Sequence, residues 1–177
     1  MALEGQYRLT RRTLQVLQAH GIPCILSTKS NAPAFFDDID LFLAYKDKLI
    51  ICIGQANLAH LRRTSDQREL PNIRTANELA RQGIKTWVFI TPILPGITDV
   101  QTMVNALPEN MPVFLDKLRL DEGSVFEQRF FEHLRTYYPE LETRYQTLMR
   151  EGTDPYYVEL KEMYQSKPRV KFVFGEH

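Results

Sequence analysis

An excess of charge of either sign is missing from this chain: 22 Lys and Arg stand against 22 Asp and Glu, giving a formal net charge of zero. Holding nucleic acid by general electrostatics usually takes a basic surplus, so composition gives that mode no support, and only local patches stay open. Cysteine is scarce as well. The two present, Cys24 and Cys52, lie inside separate apolar strand-like runs without CxxC spacing, which fits a reducing compartment better than a disulfide framework. No apolar run is long enough to cross a bilayer and no signal-peptide core opens the sequence, so cytoplasm is the expected location. His20, His60, His133 and His177 show no metal-ligand spacing, and no metal site is expected from this chain alone. A Gly-rich phosphate loop, a nucleophile elbow and a Ser-His-Asp pattern are also absent. Neither a linker nor a low-complexity stretch interrupts the 177 residues, and a 44% hydrophobic share with 25% charged residues excludes disorder and predicts one globular domain.

What is present is a repeated unit. LQAHGIPCIL and LARQGIKTWV share a helix, a glycine, an isoleucine and then a strand. Gly21 and Gly83 are placed to take the left-handed position that closes a helix. The first helix spans Leu9 to His20 with Leu14, Val16 and Leu17 as its apolar stripe, and the matching one spans Ile73 to Gln82. Strands are predicted at Cys24 to Thr28, Leu49 to Gly54, Thr86 to Thr91 and Pro112 to Leu118. Between them fit helices at Phe36 to Tyr45, with Asp37, Asp38 and Asp40 in its first turn, and at Val100 to Leu107. Alternating helices and strands joined by short connections predict right-handed crossovers and a parallel sheet, an α/β fold.

After Arg119 the pattern becomes helical and rich in aromatics, with helices expected at Ser124 to Tyr138, Glu140 to Glu151 and Pro155 to Gln165. Arg169 to Phe174 alternates as a short edge strand does. Residues 1–120 thus form a β/α unit, and residues 121–177 a helical C-terminal extension packed on it within a single domain. The first strand has no predicted neighbour on its outer side, and an open edge invites pairing.

Ligands of parallel α/β sheets bind at the carboxyl ends of the strands, which directs attention to four places. Thr28-Lys29-Ser30 offers a cation and hydroxyls for a carboxylate or phosphate, or is simply where a polar loop starts. Gly54-Gln55-Ala56-Asn57 allows close backbone approach and hydrogen bonds to hydroxyls, or is an ordinary turn with Asn57 as N-cap. Pro92-Ile93-Leu94-Pro95-Gly96 is a stiff strip lacking two N–H donors, suited to lie against an aromatic base or to make a structural bend. Asp116, in an apolar strand, needs a partner, with Lys29 and Lys117 as candidates and a structural ion pair as the expected outcome. Arg8, Arg11 and Arg12, and separately Arg62, Arg63 and Arg68, are read as solvated helix faces that are also able to touch phosphate.

The order LEGQYRLTRRTLQVL, HGIPCILSTKS, LIICIG, QGIKTWVFITPILPGITD and VFLDKLRL resembles radical S-adenosylmethionine proteins, in particular the spore photoproduct lyase-like or DNA-repair-photolyase-like group. YYPEL and DPYY are similar to that group's tail, so the likeness runs from Leu3 to Tyr157. It implies a partial TIM-type (β/α) barrel whose first two strands are expected before Leu3. It also implies S-adenosylmethionine as cofactor and a [4Fe–4S] cluster held by a CxxxCxxC loop, a motif this sequence does not contain. By that resemblance Lys29 and Ser30 match a position contacting the cofactor's polar end. Cys52 and Gln55 match small polar residues near the methionyl group or ribose, with Cys52 in place of a common serine. Pro92, Leu94, Gly96 and Asp99 match a GxIxGxxE-like element that backs the adenine, with Pro92 and Asp99 standing for its outer Gly and Glu. The expected partners are a cluster-bearing N-terminal half or a second copy at the open edge. DNA follows only from the resemblance, and a non-catalytic scaffold with the same fold is the alternative.

Overall fold

The computed structural model describes residues 6–29, 33–55 and 70–174. Its elements run α1 (Leu9–Ala19), β1 (Cys24–Thr28), α2 (Pro33–Phe36), α3 (Ile39–Tyr45), β2 (Leu49–Gln55), α4 (Pro71–Arg81), β3 (Thr86–Ile93), α5 (Val100–Asn105) and β4 (Val113–Lys117). There follow α6 (Val125–Tyr137), a 3-10 turn (Pro139–Leu141), α7 (Glu142–Glu151), α8 (Pro155–Tyr164) and β5 (Val170–Phe172). The sheet has five strands in the order β1-β2-β3-β4-β5, and every neighbouring pair is parallel.

The repeated helix-Gly-Ile unit folds as its sequence requires. Gly21 (φ 64°) and Gly83 (φ 77°) both adopt the left-handed conformation. Ile22 N–H then reaches back to Leu17 O, and Ile84 N–H to Leu79 O, a six-residue closure that satisfies the last helical carbonyls. The two units differ in burial: Ile84 is covered, whereas Ile22 is 47% exposed. Val16, expected on the apolar stripe of α1, points to solvent at 59% exposure, while Leu14 is buried. Leu14 and Val16 are two residues apart, so a 3.6-residue period cannot put both on one face.

The predicted helix Phe36 to Tyr45 is instead two pieces. The carbonyl of Asp38 accepts from the N–H groups of Leu41 and Phe42, so α3 starts after it, and its carboxylate is drawn away to Arg8 (2.7 Å) and Arg11 (2.9 Å). Only Asp40 lies in the first turn of α3, where Arg11 holds it by two further bonds, of 3.0 and 2.9 Å. Arg8 and Arg11 are thereby committed to carboxylates, while Arg62, Arg63 and Arg68 lie outside the described residues. β3 extends through Pro92 to Ile93, beyond the predicted end at Thr91, with a register shift between Ile90 and Ile93, where Pro92 offers no N–H to the ladder.

Alternation along the strands sorts the sheet into two faces. On one face lie Leu49, Ile51, Ile53, Val88, Ile90, Val113 and Leu115, each 1% exposed or less. Right-handed crossovers that advance in one direction place their helices on a single face, and α4 packs on β2 and β3 there. The second face carries Ile25 and Ser27 of β1, Ile50 and Cys52 of β2, Trp87 and Phe89 of β3, and Phe114 and Asp116 of β4. Phe89 and Phe114 stack at 4.7 Å, with Trp87 at 5.2 Å from Phe114. These three rings are half-buried. Among the described residues no helix is long and apolar enough to cross a membrane.

The helical extension is locked to the loop after β3. Tyr145 Oη donates to Pro95 O, Tyr157 Oη to Ile93 O and Tyr156 Oη to Thr98 O, each at 3.0 Å. The chain returns through β5, which pairs with β4 and so ties the extension into the same sheet.

Candidate functional site

The carboxyl ends of β1 and β2 come together around a side chain that sequence reading passed over. Asn72, in the first turn of α4, is 9% exposed and donates its amide to Gly54 O and, at 3.4 Å, to Lys29 O. It therefore clips two strand ends whose carbonyls have run out of ladder partners. The available signal was limited to the Leu70-Pro71 start of α4, which places Asn72 in the first helical turn beside the strand ends. Lys29 is exposed and its stem lies over Gly54, where a Cβ would stand 3.0 Å from Lys29 Cγ and 3.5 Å from Thr28 O. Glycine is what lets the lysine cross the end of β2. Of the residues expected here, Ser30 and Asn57 lie outside the described residues, and Gln55 is placed by its backbone as the last residue of β2.

Cys52 sits one layer deeper, in register with Ser27 on one side and Trp87 on the other. Burial pushes its thiol up to about 11, with the Ser27 hydroxyl pulling the other way. A thiol so placed is almost wholly protonated near neutrality and is a poor nucleophile or metal ligand. We expect a disulfide reagent at about pH 8 to modify half-buried Cys24 at least about a hundred-fold faster than Cys52 in the native chain. Equal rates, read by mass spectrometry of quenched digests, would mean that Cys52 is open. The two cysteines also occupy different levels of the sheet, Cys24 at its amino end and Cys52 in the middle of β2. Among the described residues no group of three His, Cys, Asp or Glu side chains is arranged to hold a metal.

A cleft of about 610 Å³ opens at the carboxyl ends of β3 and β4. That volume lies within the range of small-molecule sites. Thr91 and Pro92 form one wall, Asp116 to Asp121 another, and Ser124, Phe126, Arg129 and Phe130 from the start of α6 the third. Asp116 finds its ionic partner in Arg119, through two bonds of 2.7 and 2.9 Å, rather than in the ammonium of Lys29 or Lys117, and also accepts from Lys117 N–H. Lys117 Nζ instead donates to Gly152 O. The irregular segment after β4 leaves Arg119 free to reach back to the strand end. Phe126 stands 76% exposed at the mouth, and Arg129 is exposed one turn further along α6.

The Pro92 to Gly96 strip divides between two environments. Pro92 lines the cleft, but Leu94 is 0% exposed, its N–H bonded to Thr98 Oγ1 at 3.0 Å and its carbonyl accepting from Ile97 and Thr98. Gly96 takes φ 81°, and a Cβ there would meet Leu141 Cδ2 at 3.2 Å and Arg144 Nη1 at 3.4 Å. Asp99 caps α5 by accepting from Thr102 N–H. The structure thus joins Lys29, Gly54 and Asn72 in one niche and places Pro92, Asp116 and Arg119 in another, while Leu94, Gly96 and Asp99 serve the loop and its contact with the extension. Comparisons with protein-family models, with curated proteins and with solved structures find no match to this chain.

Proposed function

We propose that this chain is the C-terminal part of a radical S-adenosylmethionine enzyme of the lyase-like group, contributing a partial TIM-type barrel that binds the cofactor's adenosyl portion and shapes a substrate cleft. The observation that carries this is the strand order: five parallel strands in sequence, with helices on one face, are how a β/α barrel is wound, whereas doubly wound sheets reverse direction. In a barrel the second face is the interior, which accounts for Trp87, Phe89 and Phe114 standing together there.

Two parts of the implied cofactor set fare differently against these residues. A [4Fe–4S] cluster does not fit: two cysteines cannot give three thiolates, and neither lies at the carboxyl rim. Its ligands belong to residues outside this sequence, and the chain alone is inactive. S-adenosylmethionine fits at its polar end. Lys29, laid over Gly54 and anchored by Asn72, presents an ammonium suited to a carboxylate. Pro92 offers the flat surface for a base, while Leu94 and Gly96 support it from behind and make no direct contact. When bound, the cofactor supplies radical chemistry. The residues of this chain orient it and, through Phe126, Arg129 and the Asp116–Arg119 pair, border the substrate.

Calorimetric titration with S-adenosylmethionine tests this. Gly54→Val puts carbon where the Lys29 stem runs and should weaken binding about ten-fold or more. Absence of binding by the wild-type chain at millimolar cofactor would sink the adenosyl assignment. Anaerobic treatment with iron and sulfide should leave no cubane absorbance, and a stoichiometric cluster would refute the claim that its ligands lie elsewhere. A non-catalytic module with the same fold is favoured by one observation, the complete burial of Leu94 within the strip. The same titration separates the two.

A further inference from the structure

We propose that the outer edge of β1 is a dimerisation surface, at which a second copy of this chain adds its own β1 antiparallel across a two-fold axis perpendicular to the sheet. Cys24 N–H is bonded to Lys48 O at 2.9 Å, and β1 pairs with β2 without a break from Cys24 to Thr28. In a strand each residue sends its N–H and C=O to the same side. Cys24, Leu26 and Thr28 therefore serve β2, and the peptide groups of Ile25 and Ser27 face outward. Among the described residues no strand takes them, since β1 ends the sheet.

Within the strand itself, charge, proline and a bulge, three devices that blunt an edge, are missing. The strand CILST contains no charge and no proline, and its register with β2 has no bulge. Ile25 is 57% exposed on the second face, and Ile22 just before it 47%. On the helix side α1 packs against α3 and shows Leu9 at 57% and Val16 at 59%. Apolar side chains thus flank the free edge on both layers.

Three features fix the occupant as a copy of the chain. The open groups are backbone donors and acceptors, which call for a strand. Ile25 and Ser27 are symmetric about Leu26, so β1 against its copy exchanges four backbone bonds between Ile25 of one protomer and Ser27 of the other. The two-fold keeps like faces together, bringing α1 to the α1 of the second protomer and each Ile25 beside its partner's Ser27. A formal charge of zero and an uncharged strand remove the repulsion that would oppose self-pairing. Pairing then rests on backbone bonds and apolar side chains, so raised salt does not weaken the dimer. An acidic partner strand would weaken instead.

Sedimentation velocity on the whole chain over a range of concentration and salt is the test. The wild type should run at twice the 20.7 kDa chain mass. Ser27→Pro deletes an outward N–H and leaves the β2 ladder intact, and Val16→Glu changes a side chain already in solvent. Each should weaken association by about ten-fold or more, with circular dichroism reporting the fold. A wild type that stays at the chain mass to millimolar concentration overturns the proposal, as does a dimer that the folded variants leave intact or that salt weakens. None of these outcomes depends on cofactor binding, so the adenosyl assignment stands or falls separately; a cluster-bearing segment pairing with β1 would displace the second copy from this edge.

Discussion

Arg144→Ala is expected to cost about 1–3 kcal/mol, less than the loss of a fully buried ion pair because the Arg144 side chain is 38% exposed, and to reverse the sign of the pH dependence of stability. Asp154 is 4% exposed and holds Arg144 through two bonds of 2.7 and 2.6 Å, while also capping α8 by accepting from Tyr156 N–H. Burial pushes this carboxyl up, but the Arg144 guanidinium and the Tyr156 N–H together hold it below the ordinary value. A depressed folded pKa means that the unfolded chain binds the proton more readily. The stabilisation is therefore complete above an unfolded pKa of about 3.9 and is lost as pH falls through the folded value. Without Arg144 only the Tyr156 N–H opposes burial, and the carboxyl titrates above its ordinary range. The folded chain then takes the proton more readily, so the variant is most stable in acid and weakens as pH rises through the raised pKa. Urea midpoints from about pH 3 to about pH 7 should show the variant and wild-type curves converging toward acid. Arg144→Ala combined with Asp154→Asn should flatten the difference. Parallel curves for wild type and Arg144→Ala would show that Asp154 is not buried as described.

The consequence reaches the candidate site because Arg144 lies beside Gly96, where an added Cβ would stand 3.4 Å from its Nη1, and α7 carries Tyr145 to Pro95 O. None of this was legible in the sequence. Periodicity finds α7 and α8, but nothing in ETRYQTLMREGTDPYY says which tyrosine meets which carbonyl some fifty positions earlier, because those are tertiary choices made by the crossing of elements. The sheet was legible for the opposite reason. LIICIG and TWVFIT are short apolar runs between glycine-closed helices, and local chemistry leaves few other ways to bury them. Lys29 was found as a cation at a strand end, yet Asn72, which holds that end in place, was not. A single polar residue in an amphipathic helix reads as surface until the fold turns it inward. Asp116 shows the same limit: its need for a partner followed from chemistry, whereas the choice of Arg119 followed from the path of the chain after β4.

Leu94→Ala should lower stability by about 2–5 kcal/mol, the cost of emptying a fully buried leucine site, and should leave the affinity of the folded fraction for S-adenosylmethionine within about three-fold, roughly 0.7 kcal/mol. Leu94 is 0% exposed, and both its N–H and its carbonyl are spent inside the loop, on Thr98 Oγ1 and on the N–H groups of Ile97 and Thr98. These backbone bonds survive truncation to alanine, so the path of the loop and the position of Pro92 are kept while the core beneath loses its filling. Gly54→Val should give the converse signature, because the added carbons obstruct the Lys29 stem at the rim and empty nothing in the core. Chemical denaturation and calorimetry on the two variants therefore separate support from contact at the carboxyl ends of the strands. If Leu94→Ala abolishes binding while the chain stays folded, the leucine side chain touches the ligand. Its complete burial would then have to open on binding.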